Sequence, residues 1–175
     1  MTGKITELDA TITPIDTDLV EIVQDVATTP VNKKITIANI RKITAVPSDV
    51  SVSGLTCTLN ANENQAFGDV CYIDADGQAH LIDADAIASM SGLFMATASI
   101  SANADGVYLA LGFARNDAWN WTVGGLIYGT VTGTTGNTLS QTAPTGTDDV
   151  VQIMGVATHA DRIYFNPQLV QVEHT

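Results

Sequence analysis

The sequence is poor in charge. Only 15% of its 175 residues are Asp, Glu, Lys or Arg, against roughly 25% in an average soluble domain. Thr, Ala, Gly, Val, Asn and Ser fill the gap, and these residues are typical of strands, tight turns and surfaces buried against neighbours. Hydrophobic residues make up 45% of the chain, which is enough to bury a core. The composition therefore predicts a mainly β protein that forms oligomers.

Basic residues are especially scarce. Seven Lys and Arg stand against 19 Asp and Glu, which gives a net charge of −12. Residues 1–47 hold five basic and six acidic residues, whereas residues 48–175 hold two basic and thirteen acidic ones. So large an excess of acid repels phosphate and argues against nucleic-acid binding. The asymmetry predicts two parts, an N-terminal attachment arm at 1–47 and a β-domain at 48–175.

Cysteines and long apolar runs are also few. Cys57 and Cys71 are too few for a disulfide framework, and we interpret them as buried free thiols, with a cross-strand disulfide as the alternative. No run approaches the roughly 18 apolar residues of a membrane span. The first ten residues lack the apolar centre of a secretory signal. We therefore expect a soluble protein made in a cytoplasm, with no membrane among its partners.

The arm contains two β-branched runs, at residues 19–23 and 35–37, which predict short strands. Residues 27–32 between them are predicted to form a loop, and residues 36–42 a closing helical turn. About forty residues with so few large apolar side chains cannot bury a core of their own. We therefore expect the arm to dock on another surface.

Short apolar runs separated by turn residues continue through the second part. They predict strands at 50–52, 55–59, 70–73, 78–82, 93–99, 106–115, 125–131, 138–142, 150–158, 162–165 and 169–172. A short helix capped by Asp83 or Asp85 is predicted over residues 83–91. No β–α alternation is present, so the pattern favours an antiparallel β-sandwich, jelly roll or open barrel.

One carboxylate set resembles the opening of a calcium loop. Asp74 and Asp76 precede Gly77, and Asp85 stands at the twelfth position, where an EF-hand has a glutamate. Asp is short for bidentate closure at that position, and helices do not flank the loop. The alternative is that these residues simply form turns, which Asp favours. Asp74, Asp76 and Asp85 are therefore the metal candidates of the sequence.

Motifs of catalysis and cofactor binding are missing from the sequence. It contains no GxSxG, no Walker loop and no GxGxxG, and its three histidines lack the spacing of a zinc site. We therefore predict a protein without enzymatic activity and without a cofactor.

Both tryptophans of the chain lie in the segment 115–121. On a strand, Trp119 and Trp121 would share one face and could form, with Arg115, a platform for stacking carbohydrate. The alternative is that one tryptophan anchors the core and the other contacts a neighbouring subunit, since Trp and Arg are favoured at interfaces. Arg115, Trp119 and Trp121 are the candidates for interface or ligand contact.

Several segments resemble structural proteins of tailed-phage virions. The opening segments 5–8, 17–24 and 34–40 look like the N-terminal attachment arm of head-fibre, decoration and tail-fibre-like proteins. Later segments look like β-sandwich proteins of the same particles, namely 68–74, 115–121, 152–157 and 161–167. The arm type occurs on both heads and tails, so the resemblance does not decide between them.

The resemblance implies a homotrimer without enzymatic activity, located in the virion and assembled in the bacterial cytoplasm. Its partners would be the major capsid protein or other virion proteins. The arm would attach to the capsid through apolar side chains, namely Leu19, Ile22, Ile35, Ile37 and Ile40. The expected function is capsid decoration, as a cement or head-fibre protein. The alternative is a tail-fibre or receptor-binding module that contacts host glycans.

Overall fold

The computed structural model describes residues 19–24, 31–36 and 43–174. The chain separates into two units, Met1–Lys42 and Ile43–Thr175, and each is described by itself. In the first unit, β1 (Leu19–Gln24) and β2 (Val31–Thr36) form an antiparallel hairpin. The strand predicted at 19–23 is confirmed. The strand predicted at 35–37 begins earlier, inside the predicted loop. Of the helical turn predicted over 36–42, Thr36 is the last residue of β2 and the rest lies outside the described residues.

The second unit is built from eleven strands. They are β3 (Ser51–Asn60), β4 (Val70–Ile73), β5 (Ala79–Leu81), β6 (Phe94–Ala96), β7 (Asp105–Arg115), β8 (Leu126–Thr134), β9 (Asn137–Ser140), β10 (Val150–Val151), β11 (Ile153–His159), β12 (Arg162–Phe165) and β13 (Val172–Glu173). No α-helix occurs in the described part of the chain, and the one helical element there is a 3-10 turn at Ile87–Ser89. The prediction of a mainly β, antiparallel domain is confirmed.

Nine of these strands form one antiparallel sheet that nearly closes on itself. The order is β5-β4-β6-β7-β12-β11-β8-β9, and β3 pairs along the whole of β7. The two ends of this order meet: the amide of Val70 on β4 donates a 2.9 Å hydrogen bond to the hydroxyl of Thr138 on β9. The amide of Ala84 likewise donates to the carbonyl of Thr130 on β8 at 2.8 Å. Closure gives the sheet a covered inner face.

The inner face holds the larger of two core clusters. Residues of β7, β12, β11 and β8 point into it, and register shifts in the pairing of β7 and β11 interrupt the two-residue alternation in these two strands. Its largest members are Met95, Leu109, Ile127, Met154, Ile163 and Phe165. A second cluster lies around Tyr108 and Cys71, and Cys57 packs at its margin. Cys57 and Cys71 both remain free thiols, and burial raises the pKa of each.

The helix predicted over residues 83–91 is wrong. Only the 3-10 turn forms, without a side-chain cap. The Asp83 carboxylate accepts the Asp85 amide at 3.1 Å, and the Ser89 hydroxyl donates to the Asp83 carbonyl at 2.8 Å. The amides of Ile82 and Ala84 are used by strands β4 and β8. Bonds to neighbouring strands thus fix Ile82 and Ala84, and only turns form after them, against the local helical preference of the segment.

Two of the predicted strands have different bounds in the structure. Gln152 interrupts the strand predicted at 150–158, because its amide binds both backbone groups of Gly92, at 3.0 and 3.1 Å, and the carbonyl of Gln168 at 2.6 Å. The strand predicted at 169–172 is reduced to Val172–Glu173, which pairs with β10. In the part of the chain that the structure describes, there is no helix of the length and apolarity that crossing a membrane requires.

Candidate functional site

The tryptophan segment forms a loop and not a strand. After β7, the Asn116 side chain accepts the Ala118 amide at 2.9 Å, and the Trp119 amide donates to the Asn116 carbonyl at 2.9 Å. These bonds close a turn, which Asn favours. The amide of Trp121 then donates to the carbonyl of Ala160. The premise that both tryptophans share one strand face is therefore wrong.

The loop nevertheless brings the two indoles together. Their ring centroids lie 5.8 Å apart, and Phe67 lies 5.9 Å from Trp119. Trp119 also covers Gly68, where φ is +90° and an added Cβ would come within 2.8 Å of the indole. Both tryptophans are partly buried and pack against the larger core cluster. The buried Nε1 of Trp121 has no hydrogen-bond partner among the described residues, so this indole serves packing at a polar cost.

A small cavity of about 110 Å³ lies beside the three aromatic rings, lined also by Asp69 and Thr138. Asp69 is buried, and this burial raises its pKa, although bonds from the Ala66 and Gly136 amides and the Thr138 hydroxyl act in the opposite direction. Those three donors already occupy the Asp69 carboxylate. Asp69 thus ties the turn before β4 to β9.

Arg115 belongs to a charged cluster at one end of the sheet. Its Nε lies 2.7 Å from Asp117 and 3.2 Å from Asp161. Asp161 also contacts Arg162 at 2.9 Å and His159 at 2.6 Å. Partial burial disfavours the charged carboxylate, but the bonds from Arg162 and His159 and the charge of Arg115 hold the pKa of Asp161 below its ordinary value. The cluster therefore joins the turn between β11 and β12 to the end of β7.

The metal candidates act as turn residues in the structure. One oxygen of Asp74 accepts the amides of Asp76 and Gln78, both at 2.9 Å, and the other accepts the side chain of Asn62 at 3.1 Å. Asp85 lies in the neighbouring turn and donates its amide to Asp83. Among the residues described, no three His, Cys, Asp or Glu side chains converge in the manner of a metal site.

The outer face of the sheet carries apolar side chains that sequence reasoning missed. Strand register places directly opposite residues on one face, so Leu55 meets Leu111, Phe113 meets Tyr164, and Val156 lies between Tyr164 and a leucine of β8. The rings of Phe113 and Tyr164 lie 5.0 Å apart. We call this set the outer stripe, and its six members are Leu55, Leu111, Phe113, Tyr164, Val156 and Leu126.

The outer stripe crosses five adjacent strands, in the order β3, β7, β12, β11 and β8. Leu55 is 64% exposed, Leu126 42% and Leu111 38%, and the other three members are half-buried. Within residues 43–174, no strand or loop covers these three leucines. A signal was available in the sequence, because strands with apolar residues at both odd and even positions are typical of sheets buried on both faces.

The two ends of the outer stripe differ in shape. At the β3 end, Leu55 protrudes from the edge strand. At the β8 end, a depression of about 270 Å³ lies between Leu126, Val156 and Tyr164, and it is also lined by Gly155 and Gln168. Gly155 is required there, because its φ is +159° and an added Cβ would come within 2.1 Å of the Tyr164 carbonyl oxygen. The face therefore combines a protruding apolar side chain with an apolar hollow.

The predicted capsid-attachment residues belong to the first unit. Leu19 and Ile22 lie on β1 and Ile35 on β2. Ile37 and Ile40 lie outside the described residues.

Comparison of the chain with protein-family models, with curated proteins and with solved structures found no match.

Proposed function

We propose that this chain is a capsid decoration protein of a tailed bacteriophage. Residues 1–47 attach it to the outside of the head, and the following domain, an antiparallel β-sandwich of jelly-roll-like architecture, projects from the shell. Its partners are other copies of itself, as a homotrimer, and the major capsid protein. The proposal rests on the sequence resemblance and, in the structure, on one observation, the outer stripe.

The outer stripe supports assembly by simple energetics. Six apolar side chains that face water on one side of a sheet would gain roughly 25 cal/mol per Å² on burial against another surface. A decoration protein makes the same contact many times on one particle, so modest burial at each copy adds strongly to the stability of the shell. The low content of charge reduces the polar surface that such contacts must desolvate.

The attachment arm is tested with the full-length chain. Purified protein is added to heads of the phage that encodes it, prepared without the protein, and bound protein is measured by co-sedimentation and located by cryo-electron microscopy. We expect wild-type protein on the head surface and strongly reduced binding for Ile22→Asp combined with Ile35→Asp. Leu169→Asp, an exposed site near the C-terminus, is the matched control. Equal binding of all three proteins contradicts attachment through the arm, and density on the tail contradicts decoration.

A receptor-binding module is the second candidate, and the aromatic group favours it. Phe67, Trp119 and Trp121 are partly exposed beside a cavity, and aromatic faces stack on the apolar faces of sugars. Tryptophan fluorescence of the full chain, titrated with polysaccharide from the host surface, tests this function. A saturable change that Trp119→Ala abolishes and Arg115→Lys weakens supports it. An unchanged emission spectrum contradicts it.

A further inference from the structure

The outer stripe ends in a protrusion at β3 and in a hollow at β8, and both lie on the same face. We infer that copies of this chain pack against one another through the outer stripe, with Leu55 of one copy seated in the depression of the next. This inference deepens the proposed function and rests on it in one respect, that the outer stripe is an assembly surface. It adds which partner covers the stripe and in which register.

Shape makes a second copy the fitting partner. A surface that carries both a protruding side chain and its receptacle is self-complementary, which contacts between identical subunits require. The depression of about 270 Å³ exceeds the roughly 150 Å³ apolar cavity known to hold a benzene molecule, so a leucine side chain fits. Leu55 and the depression centre on β11 are three strand spacings apart, roughly 14 Å.

Because both parts of the contact lie on one face, each copy offers its Leu55 to a neighbour and receives a Leu55 in its own depression. Repetition of this contact closes a symmetric oligomer in which every Leu55 and every depression is used. The homotrimer that we propose is one such arrangement, and a two-fold dimer is the other.

Charge on the outer stripe itself does not oppose a second copy. Residues 48–175 carry a net charge of −11, so identical domains repel wherever acidic surfaces meet. The six residues of the outer stripe are uncharged. The two arginines of this part of the chain, Arg115 and Arg162, lie at one end of the face and are paired with Asp117 and Asp161. A basic protein would be attracted to the acidic surfaces, whereas another copy can approach closely through this neutral face.

The first test measures the mass of the full-length chain by analytical ultracentrifugation between low and high micromolar concentrations. We expect the wild type to sediment as an oligomer and not as a monomer. Leu55→Glu and Leu126→Glu, at the two ends of the stripe, are expected to raise the dissociation constant at least about 100-fold, because each buries an unpaired carboxylate. Leu169→Glu is the matched control and should leave the mass unchanged. Unchanged circular dichroism shows that each variant is folded.

The second test reads the register of the contact. In a Cys57→Ser background, Leu55→Cys protein and Gln168→Cys protein are mixed and treated with a short bis-maleimide cross-linker. Covalent products that contain one chain of each kind are expected in the mixture and not in either protein alone. A wild-type chain that sediments as a monomer, variants that all assemble as the wild type does, or cross-links between two Leu55→Cys chains would each overturn the inference.

These results separate the inference from the proposed function. A monomeric chain that still decorates heads would remove the contact between copies and leave decoration standing. An oligomer with the expected cross-link that binds no phage particle would support the contact and remove decoration.

Discussion

The inner and outer faces of the sheet are made by alternate residues of the same strands, yet they meet different surroundings. On β7, Ala114 is fully buried in the core, whereas Leu111 and Phe113 point outward and remain in contact with water. Both sets are apolar. The difference lies in the curvature of the sheet, which closes over one face and leaves the other open. An apolar side chain is therefore suited to burial, but the topology of the sheet decides whether other residues of the same chain bury it.

The largest expected effect contrasts two phenylalanines, one on each face. Phe165 is fully buried on the inner face and Phe113 is half-buried on the outer face. Phe165→Ala leaves a cavity and should reduce the free energy of unfolding by about 4 kcal/mol. Phe113→Ala should reduce it by about 1 kcal/mol, since it loses mainly the contact with Tyr164. Urea denaturation at a concentration where the chain is monomeric measures both values, and equal losses would show that the outer face is as well covered as the inner one.

The next effect concerns the attachment of the edge strand. At Gly54, where β3 passes β7, an added Cβ would lie 2.1 Å from the Leu111 carbonyl oxygen and 2.7 Å from the Gly112 Cα. Gly54→Ala should therefore cost about 3 kcal/mol, because backbone atoms must move. It should also displace Leu55 and weaken self-association.

Gly77→Ala is the control for this substitution. It lies in a turn where an added Cβ meets nothing, with φ +79°, and should cost about 1 kcal/mol from backbone strain alone. Thermal unfolding and sedimentation of both variants check the prediction. If Gly54→Ala costs no more than Gly77→Ala, β3 is not held closely against β7.

A smaller effect concerns pH and the charged end of the outer face. The pKa of Asp161 is lowered in the folded state. The ionised Asp161 carboxylate therefore contributes fully to stability above the unfolded pKa of about 3.9, and this contribution is lost as the pH falls through the pKa of the folded state. Asp161→Asn should therefore reduce Tm at pH 7 and reduce the fall of Tm between pH 5 and pH 2. Asp76→Asn, in a distant turn, is the control. Parallel Tm profiles for wild type and Asp161→Asn would contradict the role of this cluster.

The smallest expected effect is at Trp121, which packs from the loop against the inner face. Trp121→Phe removes the buried Nε1 that lacks a partner, and this gain offsets part of the lost apolar contact. We expect a change within about 1 kcal/mol in the free energy of unfolding. Trp119→Phe has no such gain and should be the more costly of the two. The reverse order would indicate that Nε1 of Trp121 finds a partner in solution.

Local pattern predicted much of the fold. The strands at Val70–Ile73 and Arg162–Phe165 have the predicted bounds, because short β-branched and aromatic runs between turn residues have few alternatives. The helix predicted over 83–91 does not form, since bonds from Ile82 and Ala84 to other strands fix the start of the segment and leave only turns after it. The candidate site was less predictable. Trp119 and Trp121 lie together, whereas Arg115 belongs to the charged cluster with Asp161. These contacts depend on Phe67, Gly68 and Asp161, which are distant in sequence.

By itself, the sequence determined that this chain is mainly β, antiparallel and acidic, because composition, two-residue periodicity and turn residues act locally. The sequence also has apolar residues at both odd and even positions of the strands, but it does not reveal that one of these two sets remains exposed on the outer face. Only the tertiary structure decided that, since strand order and closure set which face is covered. Register alone places the pair of Leu55 and Leu111 beside the row of Phe113, Tyr164, Val156 and Leu126. Side chains from five strands become neighbours only through pairing between residues far apart in the chain, such as Leu55 with Leu111 and Phe113 with Tyr164, which no local pattern encodes.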